Sequence, residues 1–486
     1  MMSIARLRIL LRQVPSLQAG VSVMSRRETA SSSVTRECTD AGPILSITPE
    51  SGLADELMDI RCLGLQPGQL VTLTAKVRTE NGKYEYQASG QYRAAADGTV
   101  KVQTDPSLGG SYQGVEPMGL LWSQQPVPEV AHKHPRLVKF DVTRPFTYTF
   151  ELHDGQGGVL ASKVVERTYV ADYVEKIPVS TGEAEGVLFL PEKREGSDPL
   201  PFVVDMRGLL TRLVVDRAAL LASHGFAVFA FDYFLPRRLK TKEENVYMDS
   251  QAFLDVIKFA REHPRLDADR IGITSSCYGG SMMLHSVTRL QLPVRCMVAA
   301  GFSTVLSVQV GWKNLDGSLI DPIGPMTKLV SRWKDENDKW WLTFNAHSFS
   351  DLMEGYTEAL PIVENINCPL LAFRHEDDKH IPSIPMTTEL VKQMKEAGKG
   401  HLVELQSLPG TGHFLECPYQ AINTVSSLYN PGQITTGQMT LYYTDFGGED
   451  IQQGAKDQEF AWRKIINFFR KHLKVEKMYR TDWISD

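Results

Sequence analysis

The stretch SSCYGG, residues 275–280, sets a cysteine among small residues. A short apolar run, RIGIT, leads into it, and SMMLHSVTRL follows with helical spacing. A strand that passes through small-x-nucleophile-x-Gly into a helix must turn sharply, so the flanks of the turn have to be small. Ser275 and Gly279 fill the two small positions and Cys277 stands at the centre. The free N–H groups and positive dipole end of a helix N-terminus both favour a thiolate. The expected chemistry is therefore nucleophilic attack by Cys277 on a carbonyl, with the N–H of Tyr278 as one half of an oxyanion hole. Ser276 is the poorer nucleophile because its spacing to the following glycine does not fit the turn.

Such a nucleophile needs an acid and a histidine later in the chain. In LLAFRHEDDKHIP an apolar strand ends near Asp378, with Asp377 as its competitor and His375 and His380 read as polar loop residues. LPGTGHFLECPY then supplies His413, which Gly410 and Gly412 are expected to leave free to swing toward the nucleophile. The order Cys, Asp, His is that of an α/β-hydrolase. His413 would take or hold the Cys277 proton, and Asp378 would orient the imidazole and stabilise its charged form. The second oxyanion donor is expected in VVDMRGLL, from the N–H of Arg207, Gly208 or Leu209, of which Gly208 is carried forward.

The elements that must position these groups change character along the chain. From about 43 to 170, LVTLTAKV, KYEYQASGQY and FTYTFEL read as short strands separated by ENGK and AADGT turns, which suggests an antiparallel sandwich. From about 180, strands such as PFVVDM, FAVFAFDY and VRCMVAAG alternate with helical stretches. Among these, VVDRAALLASHG reads as amphipathic and ends on Gly225, and MDSQAFLDVIKFAREHP closes before Pro264. That alternation predicts a mostly parallel sheet with helices on both faces. The expected division is a tail over 1–41, a β-sandwich over 42–175, a catalytic α/β-hydrolase part over 176–475 and a tail over 476–486.

Composition narrows the function. A net charge of −6 and no basic stripe argue against a nucleic-acid partner, and no apolar run free of charge is long enough for a membrane span. The six cysteines form no C-x-x-C pair and no cluster with histidine, so neither a metal nor another cofactor is expected, and a reducing compartment is. The first 37 residues hold Arg6, Arg8, Arg12, Arg26 and Arg27, and no acidic residue precedes Glu28. This Arg-rich, Ser-rich start is similar to a mitochondrial transit peptide. The expected location is the mitochondrial matrix, with the cytoplasm or the peroxisome as alternatives.

GVEPMGLLW at 114–122, LVKFDVTRPF, HGFAVFAFDYF, ERTYV, PGTGHFLECPY and WRKIINFFRKHL together resemble the acyl-CoA thioesterase and bile acid-CoA:amino acid N-acyltransferase family. The resemblance spans about 43–473. It implies an N-terminal immunoglobulin-like β-sandwich, an α/β-hydrolase domain, an acyl-CoA substrate, and nucleophile, acid and histidine at Cys277, Asp378 and His413. Thioesterases of this family usually carry serine at the elbow and the transferase branch carries cysteine. This chain combines Cys277 with the GG that typically follows in the thioesterases. The loop after VVDM lacks the glycines usual there. Trp312, Trp333, Trp340 and Trp341 lie in a stretch that matches the family poorly, and they read either as acyl-pocket residues or as core. Three functions follow, in this order: hydrolysis of fatty acyl-CoA through a cysteinyl acyl-enzyme, transfer of the acyl group to glycine or taurine, and silent acyl binding.

Overall fold

A computed structural model describes residues 42–192, 199–208, 213–233, 240–242, 245–306, 310–321, 330–344, 357–429 and 441–475. The two expected tails, 1–41 and 476–486, lie outside the described residues, as does Leu209.

The apolar runs of the second half assemble into one eight-stranded sheet. In chain order its strands are β1 (Val174–Thr181), β2 (Ala184–Pro191), β3 (Leu200–Met206), β4 (Ala227–Phe231), β5 (Leu266–Cys277), β6 (Cys296–Phe302), β7 (Leu370–His375) and β8 (Val403–Leu408). Side by side they run β1-β2-β4-β3-β5-β6-β7-β8, which is α/β-hydrolase topology. β1–β2 and β2–β4 pair antiparallel, and every pair from β4 to β8 is parallel. The mostly parallel expectation holds, but the β1–β2 hairpin at the sheet edge was not expected. Most of the β1 side chains are exposed or half-exposed, so it carries no continuous apolar run. β4 and β6 are buried at every residue, as strands covered on both faces must be.

Among the described residues of this part the α-helices are α1 (Asp216–Ser223), α2 (Gln251–Glu262), α3 (Tyr278–Leu290), α4 (Ser383–Glu396) and α5 (Ile451–His472). α2 buries Ala252, Phe253, Val256, Ile257 and Ala260, the stripe expected of an amphipathic helix, and stops ahead of Pro264. α1 corrects the sequence reading: it is buried at every residue, not on one face. The reason is tertiary. Ala171 N–H donates to Ser223 Oγ (2.9 Å), and the Tyr173 hydroxyl donates to the Ser223 carbonyl (2.5 Å). Just past the helix, His224 Nε2 lies 2.6 Å from Asp55 Oδ2, which also accepts from Trp462 Nε1 (2.9 Å).

The first half forms two sheets. One is six-stranded, in the order Ser51–Leu53, Val159–Thr168, Phe146–His153, Leu70–Arg78, Glu85–Arg93 and Gln125–Pro126; the other joins Ile44–Thr48, Asp59–Leu63 and Val100–Lys101. Along Leu70–Arg78, Val71, Leu73, Ala75 and Val77 are buried, the period of two that places one strand face inward. These residues share a core with Ile47, Ile60 and Phe150. That core continues through Phe226, Trp462 and Ile465 into the α/β part.

A further small sheet, Val330–Lys334, Trp340–Phe344, Leu441–Asp445 and Val425–Tyr429, escaped the sequence reading. Of the two expected roles, core is seen at Trp312, and Trp333 and Trp340 fit neither. Trp312 is fully buried core, whereas Trp333 is 47% and Trp340 39% exposed, which does not suit an acyl pocket. Among the described residues no helix is long and apolar enough to cross a membrane.

Candidate active site

β5 passes directly into α3 through Cys277, whose backbone sits at φ 56°, ψ −132°. A side chain is rarely tolerated there, and such a conformation costs on the order of 1–3 kcal/mol, which the surrounding packing must supply. The packing is visible. A Cβ on Gly279 would lie 2.4 Å from the Met206 carbonyl oxygen, and one on Gly280 would lie 2.4 Å from the Phe302 Cβ. The paired glycines therefore let α3 start hard against the ends of β3 and β6. Ser275, where glycine is usual, is fully buried and donates from Oγ to the Val298 carbonyl (3.0 Å), so β6 satisfies its hydroxyl.

The described cysteines are all free; Cys62, Cys296, Cys368 and Cys417 are buried, while Cys277 is half-buried. Burial alone pushes the Cys62 and Cys368 thiols up to about 12, which makes them poor nucleophiles.

Of the three expected sources of a second oxyanion donor, Gly208 stands against the thiol. A Cβ on it would meet Cys277 Cβ at 2.6 Å and Cys277 Sγ at 2.8 Å. The Arg207 side chain instead joins Asp216 and Glu416 in buried ion pairs. Tyr278 is buried, with its hydroxyl donating to the Val310 carbonyl (2.5 Å).

His413 comes from the loop after β8, and its Nδ1 lies 3.0 Å from Asp378 Oδ2. Both side chains are essentially inaccessible, at 1% and 0%. Asp378 Oδ1 accepts the backbone N–H groups of His380 and Ile381 (2.9 Å each), which fixes the carboxylate plane. Asp377 faces elsewhere, with Oδ2 accepting from Gly448 N–H (2.7 Å) and Glu449 N–H (3.1 Å). Burial opposes a charge on His413, but Asp378 and then Cys277 outweigh it and raise the imidazole to about 10.

Two expectations around this histidine need correction. Its flanking glycines do not free the loop. A Cβ on Gly412 would lie 2.4 Å from Gly447 and one on Gly410 2.6 Å from Gly454 N, so both serve close packing. The Gly410 N–H and the Thr411 hydroxyl also bond Asp457 Oδ2, at 2.8 and 2.9 Å. His375 is not a loop polar but the buried last residue of β7, whereas His380 does lie in the loop, with its N–H bonded to Asp378 Oδ1. His375 is 1% exposed, with Nδ1 2.7 Å from the Gly412 carbonyl, and burial lowers it to about 4. His380 packs its ring 4.5 Å from that of His413, and burial, then the His413 charge, hold it well below the ordinary imidazole range. Phe446 stacks on the His413 ring at 5.6 Å and 19°. The element order signalled none of this, because the contacts join segments far apart in the chain.

Comparison with known proteins agrees with this layout. The profile described as "Acyl-CoA thioester hydrolase/BAAT N-terminal region" matches residues 55–181, and "BAAT / Acyl-CoA thioester hydrolase C terminal" matches 248–475. Bile acid-CoA:amino acid N-acyltransferase of Homo sapiens is 33% identical over 438 residues, covering 88% of this chain and 97% of that protein. Acyl-coenzyme A amino acid N-acyltransferase 2 of Mus musculus is 31% identical, over 88% and 97%. The mouse protein named acyl-coenzyme A thioesterase 2, mitochondrial is 30% identical, over 88% and 89%. With an α/β-hydrolase sheet, a cysteine elbow and relatives matched over nearly their full length, the chain belongs to the acyl-CoA thioester hydrolase/bile acid-CoA:amino acid N-acyltransferase family.

Proposed function

We propose that the protein cleaves fatty acyl-CoA to free acid and CoA, with Cys277, His413 and Asp378 as its triad. The observation that carries this is the buried Asp378–His413 contact of 3.0 Å beside a cysteine held on a strained elbow. The His413 imidazole beside Cys277 is placed to take or hold its proton. Cys277 Sγ attacks the thioester carbonyl, and the oxyanion so formed takes the N–H groups of Tyr278 and Gly208. Collapse breaks the bond to the CoA sulfur, which leaves with the proton held by His413. Water then adds to the acyl-enzyme, His413 takes its proton, and the Cys277 sulfur departs as the free acid forms. Asp378 keeps the imidazole oriented throughout.

Conjugation is the second reading, favoured by Cys277 itself. Its acyl-enzyme is a thioester, which amines attack readily, so glycine or taurine in place of water would give an amide. Hydrolysis stands first because no group among the described residues is identified that would hold the acceptor's acid group, and proximity supplies most of an acceptor's advantage. Silent acyl binding stands last, since the three polar groups are kept together. The test is thiol release from palmitoyl-CoA, followed by product mass with and without millimolar glycine or taurine. Free acid in excess supports hydrolysis, and conjugate in excess reverses the order.

Residues 42–175 are read as an immunoglobulin-like sandwich and 176–475 as the catalytic part, a division supported by the change from mostly antiparallel to mostly parallel pairing. The Arg-rich residues 1–41 are read as a mitochondrial address, supported by their lack of acidic residues before Glu28 and by the name of one mouse relative.

A further inference from the structure

Glu416 lies in the same loop as His413, in the run HFLEC, and is only 9% exposed. Its Oε2 accepts from Arg207 (3.2 Å), the residue just before Gly208, and its Oε1 accepts from Arg136 (3.3 Å) of the first, strand-rich half. Arg207 also pairs with Asp216 at the start of α1, and its carbonyl accepts the Tyr233 hydroxyl. Arg136 does a second thing: its guanidinium lies 4.0 Å from the centre of the Phe414 ring. Phe414 packs in turn on Phe446 at 4.3 Å and on His413 at 5.3 Å. Beside Arg136, the Leu137 N–H donates to Asn423 Oδ1 (3.3 Å) farther along the same loop.

Three separate pieces of chain therefore meet on one carboxylate. One carries Gly208 and touches the thiol, one carries His413, and one comes from the first half. We propose that Glu416 is a positioning residue: clamped between Arg207 and Arg136, it fixes the His413 loop relative to the Gly208 segment and so sets the geometry between base, nucleophile and oxyanion site. This rests on the triad reading above. The bidentate use of Glu416 is what the job requires, since two guanidinium groups from different segments fix its direction as well as its place. Burial pushes the carboxyl up, but Arg207 and then Arg136 hold it below the usual range, so it stays charged between them. A cation stacked over Phe414 adds a second hold on the same loop. Arg136 makes the first half a participant in catalysis although it supplies no reacting group.

The test uses the full chain and palmitoyl-CoA. Glu416→Gln, Arg136→Gln, Arg136→Lys and the double variant Glu416→Gln/Arg136→Gln are compared for kcat, KM and single-turnover acylation of Cys277, each after near-UV circular dichroism confirms the fold. Misplacement of catalytic groups by a fraction of an ångström lowers kcat and the acylation rate about 10- to 100-fold while KM moves less than about twofold. Arg136→Lys should recover most of the loss, and the double variant should be little worse than Glu416→Gln alone, because both act through one contact. A folded Glu416→Gln or Arg136→Gln with kcat within about twofold of wild type, or a loss confined to KM, overturns the proposal. If Glu416→Gln does not fold, Arg136→Gln decides, since that side chain is 20% exposed and better tolerated. Wild-type protein that releases no CoA thiol, or Cys277→Ala that keeps turnover, contradicts the triad reading instead.

Discussion

Asp377 and Asp378 are neighbours in sequence with opposite duties. Asp378 faces His413, and Asp377 ties down the backbone at Gly448 and Glu449. Asp378→Asn should lower turnover about a thousandfold or more, the size of effect that follows when an imidazole loses its orienting carboxylate. Asp377→Asn should cost a smaller factor, and the reverse ranking in a thiol-release assay would move the acid to Asp377. His413 also ties stability to pH. Its folded value is raised to about 10 from an ordinary 6.5, so its stabilising contribution is complete below about pH 6.5 and is lost as pH rises through about 10. The difference in urea unfolding free energy between wild type and His413→Ala should therefore shrink over that window, and a flat difference would contradict the pairing. Cys277, Asp378 and His413 are proposed from the sequence because each sits among small residues or at a strand end, a pattern confined to a few neighbouring positions. Glu416 and Arg136 are not, because a pair separated by 280 positions leaves no local signal.

At the scale of elements, the proposed oxyanion site depends on how closely β3 approaches the β5–α3 elbow. The segment just past β3 brings Gly208 so near Cys277 that a single methyl group would lie 2.8 Å from the sulfur. Gly208→Ala should leave the fold intact at a cost of about 1–3 kcal/mol, as overpacking does. It should also lower turnover about 100-fold or more, the loss seen when one oxyanion donor is displaced. Turnover within about threefold of wild type would place the second donor elsewhere. The elbow was readable because a strand, a tight turn and a helix each leave a pattern within about a dozen residues. The β1–β2 hairpin and the complete burial of α1 were not. Both depend on which surface lies opposite, and in α1 the polar groups Ser223 and Asp216 look solvent-facing until Ala171 and Arg207 are seen beside them.

The whole molecule is joined by a polar contact as well as by a continuous core. Asp55, from the first half, accepts from Trp462 in α5 and lies against His224 past α1, with both acid and imidazole wholly buried. Asp55→Leu would remove the carboxylate that Trp462 and His224 share, and the expected loss is about 3–5 kcal/mol in urea unfolding. A loss under about 1 kcal/mol would mean that this contact adds little to the hold between the halves. The proposed hydrolysis passes through a covalent intermediate at one sulfur. Rapid quenching of the protein with palmitoyl-CoA in the pre-steady state, followed by peptide mass mapping, tests it directly. The account predicts a palmitoyl adduct on Cys277 that forms before free acid appears and is absent from Cys277→Ala. An adduct on Ser276, or free acid that forms in Cys277→Ala at the wild-type rate, would contradict it.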